Sequence, residues 1–182
     1  GFYGYVVYGN ATIAPGVISN GTITGVLQGI AVVNTLGGPL APSNVTITGM
    51  HMSGFAGDHP TLPAYNFHAG VYTFTAGTTV PLTGLVLSIS NDTIIGTGSI
   101  SASGAAVYLG DFSTGGISVQ TVNIAQCVIT SNHNRGVDSR GYVTTSIDAC
   151  TFTNNGDAPW GIGGNEGFTI LAQRGANVTA SN

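Results

Sequence analysis

A two-part pattern recurs five times along the chain, with no helical stretch between the repeats. Each repeat opens with a strand of alternating apolar and polar residues, turns through polar or Gly-rich residues, and resumes at Gly or Ala followed by a β-branched residue. The strand anchors are Ile18, Ile47, Ile89, Ile124 and Ile147. The positions after the turn are Gly29-Ile30, Gly70-Val71, Ala106-Val107, Gly136-Val137 and Gly161-Ile162. Periodicity of roughly 20–50 residues is typical of stacked repeats, so residues 1–182 are predicted to form one solenoid domain.

The best-matched repeats, residues 122–137 and 145–162, align Cys127 with Cys150 and Ile129 with Phe152. Short strands without a crossover helix favour a coil in which each rung pairs in parallel with the next. Further strands are expected at 116–122, 142–146 and 167–170, with Ile170 continuing the interval from Ile124 to Ile147. The wide interval between Ile47 and Ile89 leaves room for an extra rung around Val71–Thr75.

Composition excludes several classes of function. Only 5% of residues are charged, lysine is absent, and the net charge is −4. Nucleic acid is held mainly by Lys and Arg contacts to phosphate, so no nucleic-acid partner is predicted. Apolar runs are too short for a membrane span, and no cofactor or metal is predicted. Few titrating groups predict little change in stability between mildly acidic and neutral pH.

Three segments resemble a known family: IDACTFTNNGDAPWGI, VNIAQCVITSNHNRGV and NVTITGMHMSG. They are similar to the loose rung consensus of the right-handed parallel β-helix, or pectin-lyase-like, superfamily. The resemblance implies an all-β, right-handed, three-sided parallel β-helix of about five to six rungs. That superfamily includes polysaccharide lyases and hydrolases, phage tailspikes, adhesins and passenger domains, and fold alone does not assign an activity.

The turns after the first strands carry a candidate glycan-binding site, because solenoid insertions at equivalent positions gather on one face. The candidate residues are Asp58, His59, Tyr65, His68, His133, Arg135, Asp157 and Trp160. Aromatic rings beside carboxylates and Arg suit a sugar, whose apolar faces stack on rings while its hydroxyls bind polar groups. The alternative is that the aromatic residues only cap the core beneath a long loop.

Catalysis has weaker support. A glycoside hydrolase needs two nearby carboxylates. Asp58 and Asp157 are expected on distant rungs, whereas Asp111 and Asp138 fall on another corner where they can approach each other. The segment Asp138-Ser139-Arg140 is interpreted as a surface ion pair. Catalytic residues are therefore unassigned, and a polysaccharide lyase or glycoside hydrolase of the tailspike kind is the alternative to a non-enzymatic module.

Two modifications are considered. Cys127 and Cys150 are expected at equivalent positions of adjacent rungs, either as a disulfide, whose Cα range they satisfy, or as a buried thiol ladder. Five sequons are possible glycosylation sites, at Asn10, Asn20, Asn44, Asn91 and Asn177. Asn also serves turns and Thr serves strands, so the sequons have a purely structural interpretation as well.

The opening residues 1–16 predict an N-terminal strand that takes part in assembly, since Tyr3, Tyr5 and Val7 are strand-forming and uncharged. The chain is expected to be a processed piece of a longer polypeptide and to self-associate as a fibre or homotrimer, or to pair with the rest of its parent. The predicted function is an extracellular, cell-surface or virion-surface structural or adhesive module with a glycan-contacting face. Ice binding is a third possibility, but the Thr-x-Thr units do not share one register.

Overall fold

The computed structural model describes residues 3–8, 16–33, 44–55, 67–76, 85–97, 103–112, 120–133, 135–156 and 168–182. Within these ranges the regular structure consists of seventeen strands and no helix. The strands form three parallel sheets, which we name A, B and C.

Sheet A contains β1 (Tyr3–Tyr8), β4 (Gln28–Val33), β7 (Phe67–Ala76), β10 (Ser103–Phe112), β13 (Arg135–Gly141) and β16 (Phe168–Gln173). Sheet B contains β2 (Gly16–Ser19), β5 (Asn44–Thr48), β8 (Val86–Ser90), β11 (Gln120–Ala125), β14 (Val143–Asp148) and β17 (Asn177–Ser181). Sheet C contains β3 (Thr22–Thr24), β6 (His51–Phe55), β9 (Thr93–Thr97), β12 (Val128–Thr130) and β15 (Thr151–Thr153).

The chain visits sheets A, B and C in turn, so each circuit is one rung of a coil. Neighbours within every sheet come from successive rungs and pair in parallel. This arrangement is a three-sided parallel β-helix of five to six rungs, as the sequence pattern predicts.

The strand anchors align as predicted. Ile18 pairs with Ile47, Ile47 with Ile89, Ile89 with Ile124, and Ile124 with Ile147. The predicted continuation of this anchor series at Ile170 is wrong. Ile147 pairs with Ala180, and Ile170 lies in sheet A beside Val137. Equal spacing does not mark equivalent positions here, since the rungs differ in length.

The Gly-or-Ala column is also present. Ile30, Val71, Val107 and Val137 align in sheet A, and the next member is Ile170 instead of Ile162. Gly161 and Ile162 lie outside the described residues. No extra rung exists around Val71–Thr75 in the described chain, because β7 is the sheet A strand of that same rung.

Close packing at the edge of the core explains the glycines of this column. A Cβ on Gly29 would lie 2.5 Å from the carbonyl oxygen of Gly70 and 3.1 Å from the ring of Phe55. Gly4 occupies the equivalent position in β1, because Tyr5 pairs with Ile30. A Cβ there would lie 2.6 Å from the carbonyl oxygen of Gly29. The pattern therefore begins one rung earlier than its five sequence matches indicate.

The sequence pattern does not predict the bend between sheets B and C, which we name the B–C corner. A single residue in the left-handed conformation turns the chain there on each rung, namely Asn20, Gly49, Asn91, Gln126 and Ala149. Consequently the third strand of a rung is one of the short sheet C strands. The further strands predicted at 116–122, 142–146 and 167–170 correspond instead to the starts of β11, β14 and β16. Gln and Ala rarely adopt positive φ, so this bend leaves little trace in the sequence.

The core fills the space between the sheets. Ile47, Leu87, Ile89, Ile94 and Ile129 are among its fully buried side chains. The Thr-x-Thr units fall in three different sheets, so they form no common ladder: Thr22 lies in sheet C, Thr46 in sheet B and Thr73 in sheet A.

Candidate functional site

Five chain connections join sheet C to sheet A, and their ends lie along one edge of the coil, which we name the C–A corner. β3 joins β4 there through residues 25–27, and the other four connections carry the predicted insertions. These four run from β6 to β7, β9 to β10, β12 to β13 and β15 to β16, and the strands at both ends are neighbours in their sheets. The predicted insertions therefore start and end along one edge of the coil. Residues 34–43, 77–84 and 113–119 join strands of sheet A to strands of sheet B, so long connections begin or end at both edges of sheet A.

Three of the eight predicted glycan-site residues are described: His68, His133 and Arg135. Asp58, His59, Tyr65, Asp157 and Trp160 lie outside the described residues. His68 and Arg135 are near the starts of β7 and β13, two strands apart in sheet A, which corresponds to about 10 Å. His133 lies at the turn before β13, where its backbone N–H donates to the backbone carbonyl of Thr97. His68 and Arg135 are buried and His133 is partly exposed.

The outer side of sheet A carries a cluster that sequence analysis did not assemble, which we name the Tyr–Arg cluster: Tyr72, Tyr108, Arg135, Asp138 and Arg140. The rings of Tyr72 and Tyr108 stack with centroids 5.4 Å apart. The Arg140 guanidinium lies 5.5 Å from the centroid of Tyr108. In-register pairing of Tyr72, Tyr108 and Asp138 on β7, β10 and β13 places these groups in one row.

Two arginines hold Asp138. Arg140 donates from Nε to Oδ1 at 2.8 Å and from Nη2 to Oδ2 at 2.7 Å. Arg135 Nη1 lies 3.0 Å from the same Oδ2. Burial disfavours the charge on Arg140, but the hydrogen bonds and charge of Asp138 outweigh it and raise the pKa of this guanidinium. Burial raises the pKa of Tyr108, and the charge of Arg140 offsets part of that rise.

The predicted ion pair between Asp138 and Arg140 is present, but its placement at the surface is wrong. Asp138 has no exposed surface, and it pairs with two cations instead of one. A carboxylate held by a bidentate guanidinium and a second cation is a poor base or nucleophile, because its lone pairs are occupied. Its chemistry is structural: it neutralises buried positive charge on the outer side of sheet A.

The described carboxylates do not form a hydrolytic pair. Asp111 pairs with Gly141 and Asp138 with Tyr108, so the two acids are three residues out of register on adjacent strands. Asp92 is buried at the B–C corner and Asp148 is exposed on sheet B. The register of β10 and β13 therefore does not bring Asp111 close to Asp138, contrary to the expectation from the sequence.

A second cluster lies inside the B–C corner, one member per rung: Met50, Asp92, Cys127 and Cys150. We name it the corner column. Each side chain accepts from the backbone N–H of the preceding rung, as in Met50 N to Asp92 Oδ1 at 2.6 Å and Cys127 N to Cys150 Sγ at 3.5 Å. The N–H of Gly21 donates likewise to the sulfur of Met50 at 3.2 Å. The corner column thus supplies hydrogen-bond acceptors to backbone N–H groups that have no partner in the sheets where the chain bends.

Asp92 is the functional group that sequence reasoning missed. It is 1% exposed, and its Oδ2 has no hydrogen-bond partner among the residues that the structure describes. Burial raises the pKa of Asp92 from 3.8 to about 6, although hydrogen bonds from the backbone of Met50 and Ser90 oppose the rise. Aligning Asn91-Asp92 with Gln126-Cys127 would have placed this acid beside a buried thiol.

The two cysteines are free thiols in the structure, with Cys127 buried and Cys150 partly buried. Among the described sequon residues, Asn20, Asn44, Asn91 and Asn177 are exposed, and Asn10 lies outside the described chain. Asn20 and Asn91 also occupy left-handed positions of the B–C corner, which explains their presence without a glycan. Glycosylation of these residues stays a prediction.

The part of the chain that the structure describes contains no group of three His, Cys, Asp or Glu side chains arranged to hold a metal ion. Nor does a described segment form a helix with the length and apolar character needed to cross a membrane.

No family model, curated protein or solved structure matches the chain. The fold of the described residues thus defines its class as a three-sided parallel β-helix.

Proposed function

We propose that this chain is a structural or adhesive module of an extracellular or virion-surface protein, and that it contacts glycans through the loop-flanked side of sheet A. We place it in the right-handed parallel β-helix, or pectin-lyase-like, superfamily. The observation that carries the proposal is the coincidence of five connections at the C–A corner with an aromatic and arginine row on the sheet beside them.

The chemistry of this side supports glycan contact. Tyr72 and Arg140 are the partly exposed members of the Tyr–Arg cluster, and His133 is partly exposed at the adjoining corner. Phenol, guanidinium and imidazole groups bind sugar hydroxyls, while a ring edge covers apolar C–H groups. Asp138 is occupied by two arginines, which favours binding over hydrolysis.

Glycan-array retention tests the proposal. Wild-type protein should be retained on one class of glycan, and Tyr72→Ala or His133→Ala should reduce retention by about tenfold, as expected for loss of a contact of roughly 1.4 kcal/mol. Tyr72→Phe keeps the ring stack and separates the loss of the hydroxyl from any loss of packing. Asn123→Ala, on the outer face of sheet B, is the matched control and should bind like wild type.

Retention of Tyr72→Ala and His133→Ala at the wild-type level would contradict a site on this side of the coil. Release of reducing ends from the retained polysaccharide would show an enzyme instead of a binding module.

Self-association through β1 is the second part of the proposal. This strand is at the edge of sheet A, and the side chain of Tyr5 is 53% exposed. Exposed strand edges without charge favour pairing with another chain. Light scattering at micromolar concentration should therefore give a mass above that of the 18.3 kDa monomer.

A charge on the edge should weaken this association, so Tyr5→Lys is expected to lower the mass towards that of a monomer. Asn123→Lys adds the same charge to a central strand and should leave the mass unchanged. A wild-type mass equal to that of the monomer would exclude self-association.

A further inference from the structure

The two cysteines of the corner column are held one above the other on adjacent rungs. Val128 pairs with Thr151, and the N–H of Thr151 donates to the carbonyl of Cys127 at 2.8 Å. The preceding residues, Gln126 and Ala149, have φ of 55° and 48°, so the chain turns in the same way before each thiol. The Cα atoms are about one strand spacing apart, roughly 4.8 Å, which is within the range of a disulfide.

Both sulfur atoms point along the coil axis towards the preceding rung. Cys150 Sγ lies 3.5 Å from the backbone nitrogen of Cys127 and 3.7 Å from the carbonyl of Ile124. Cys127 Sγ lies 3.7 Å from the carbonyl of Ile89, one rung below. The Cys150 thiol therefore already lies against the residue that it would bond to.

Access to the two thiols is unequal. Cys150 lines an open cavity of about 230 Å³ together with Ile147, Phe152 and Ile170. Cys127 is 1% exposed. Burial raises the pKa of the Cys127 thiol to about 12, and the negative charge of Asp92 adds to the rise. A soluble reagent can thus reach Cys150, while Cys127 stays protonated and shielded.

We propose that Cys127 and Cys150 are a modification site at which a low-molecular-mass disulfide, such as oxidised glutathione, links two adjacent rungs. In the first step the Cys150 thiolate attacks one sulfur of the reagent, which forms a mixed disulfide and releases one thiol. In the second step the Cys127 thiolate attacks the Cys150 sulfur and releases the second thiol. The two cysteine protons end on the two released thiols, and the reagent is reduced as the cysteines are oxidised.

The order of the steps makes the proposal testable. Folded protein treated with oxidised glutathione should first gain the mass of one glutathionyl group and then convert to a chain two hydrogens lighter than the reduced form. The second step should accelerate with rising pH, because it needs the Cys127 thiolate. Cys127→Ala should stop at the mixed disulfide, and Cys150→Ala should not react while folded.

The linked protein should melt roughly 5–10 °C above the reduced form, because the disulfide closes the loop between residues 127 and 150 in the unfolded chain. Thr130 and Thr153 provide positions for an exposed control disulfide, because their hydroxyls lie 2.7 Å apart across the same two rungs. Thr130→Cys with Thr153→Cys, in a chain carrying Cys127→Ala and Cys150→Ala, should form its disulfide without a slow second step.

Three results would overturn the proposal: no reaction of folded wild-type protein, reaction of Cys150→Ala at the wild-type rate, or a mixed disulfide that persists at high pH. The linked mass and the rise in Tm would support it together. Neither outcome depends on glycan binding, so this inference and the proposed function can fail separately.

Discussion

Asp92→Asn should make the stability of the protein less dependent on pH and should raise its free energy of unfolding at pH 7. Burial raises the pKa of Asp92 from 3.8 to about 6 in the folded chain. Between these values the folded state binds more protons than the unfolded state. The resulting contribution to stability is fully present below about pH 4 and is lost as the pH rises through about 6. An amide is neutral throughout this range and avoids the loss.

The expected size follows from the shift. One pKa unit corresponds to about 1.4 kcal/mol, so wild-type protein should lose about 2–3 kcal/mol between pH 4 and pH 7 relative to Asp92→Asn. Urea unfolding at four pH values across this range measures the difference. Asp148→Asn removes the same charge from an exposed position of sheet B and controls for net charge.

Parallel stability curves for wild type and Asp92→Asn would contradict the buried, proton-binding state of this acid. The composition predicts stability almost independent of pH, because titrating groups are few. The raised pKa of Asp92 predicts the opposite, because a single buried carboxyl inside the corner column contributes a pH-dependent free energy of its own.

The anchors and the Gly-or-Ala column were predictable because each has a direct physical cause visible in sequence. Alternation places Ile47 and Ile89 inside the coil, and the lack of room for a Cβ selects Gly29 and Gly70. Ile170 was misassigned because the connections between sheets vary in length, so a constant interval is no guide to register. Only the pairing of β16 with β13 identifies its true neighbour.

The Tyr–Arg cluster and the corner column could not be predicted, because both depend on which residues share a row across rungs. Tyr108 and Asp138 are far apart in sequence but adjacent in sheet A. Asp92 and Cys127 meet only because a left-handed residue precedes each of them at the B–C corner. Such a bend accepts Asn, Gly, Gln or Ala, so no residue type marks it. Once the register is known, the same sequence identifies both clusters.

Phe55→Ala should destabilise the protein more than any other single truncation in the sheet C strands. Phe55 ends β6 with no exposed surface and is the largest fully buried side chain of the described core. Its ring lies against the backbone of Gly29, whose missing Cβ makes room for it. Removing the ring leaves a cavity that neighbouring rungs cannot close, because their spacing is fixed by the sheet ladders. The expected loss is about 3–5 kcal/mol.

Phe152→Ala is the matched comparison, because it removes the same side chain from β15 at the edge of sheet C. Phe152 aligns with Ile129 as the sequence predicted, but it is only half-buried and lines the open cavity beside Cys150. Water already reaches this ring, so its removal should cost about half as much, roughly 1.5–2.5 kcal/mol. Urea unfolding of both variants measures the difference. Equal losses would mean that another part of the assembly covers Phe152 in solution, whereas a larger loss for Phe55 supports a core that is closed at β6 and open at β15.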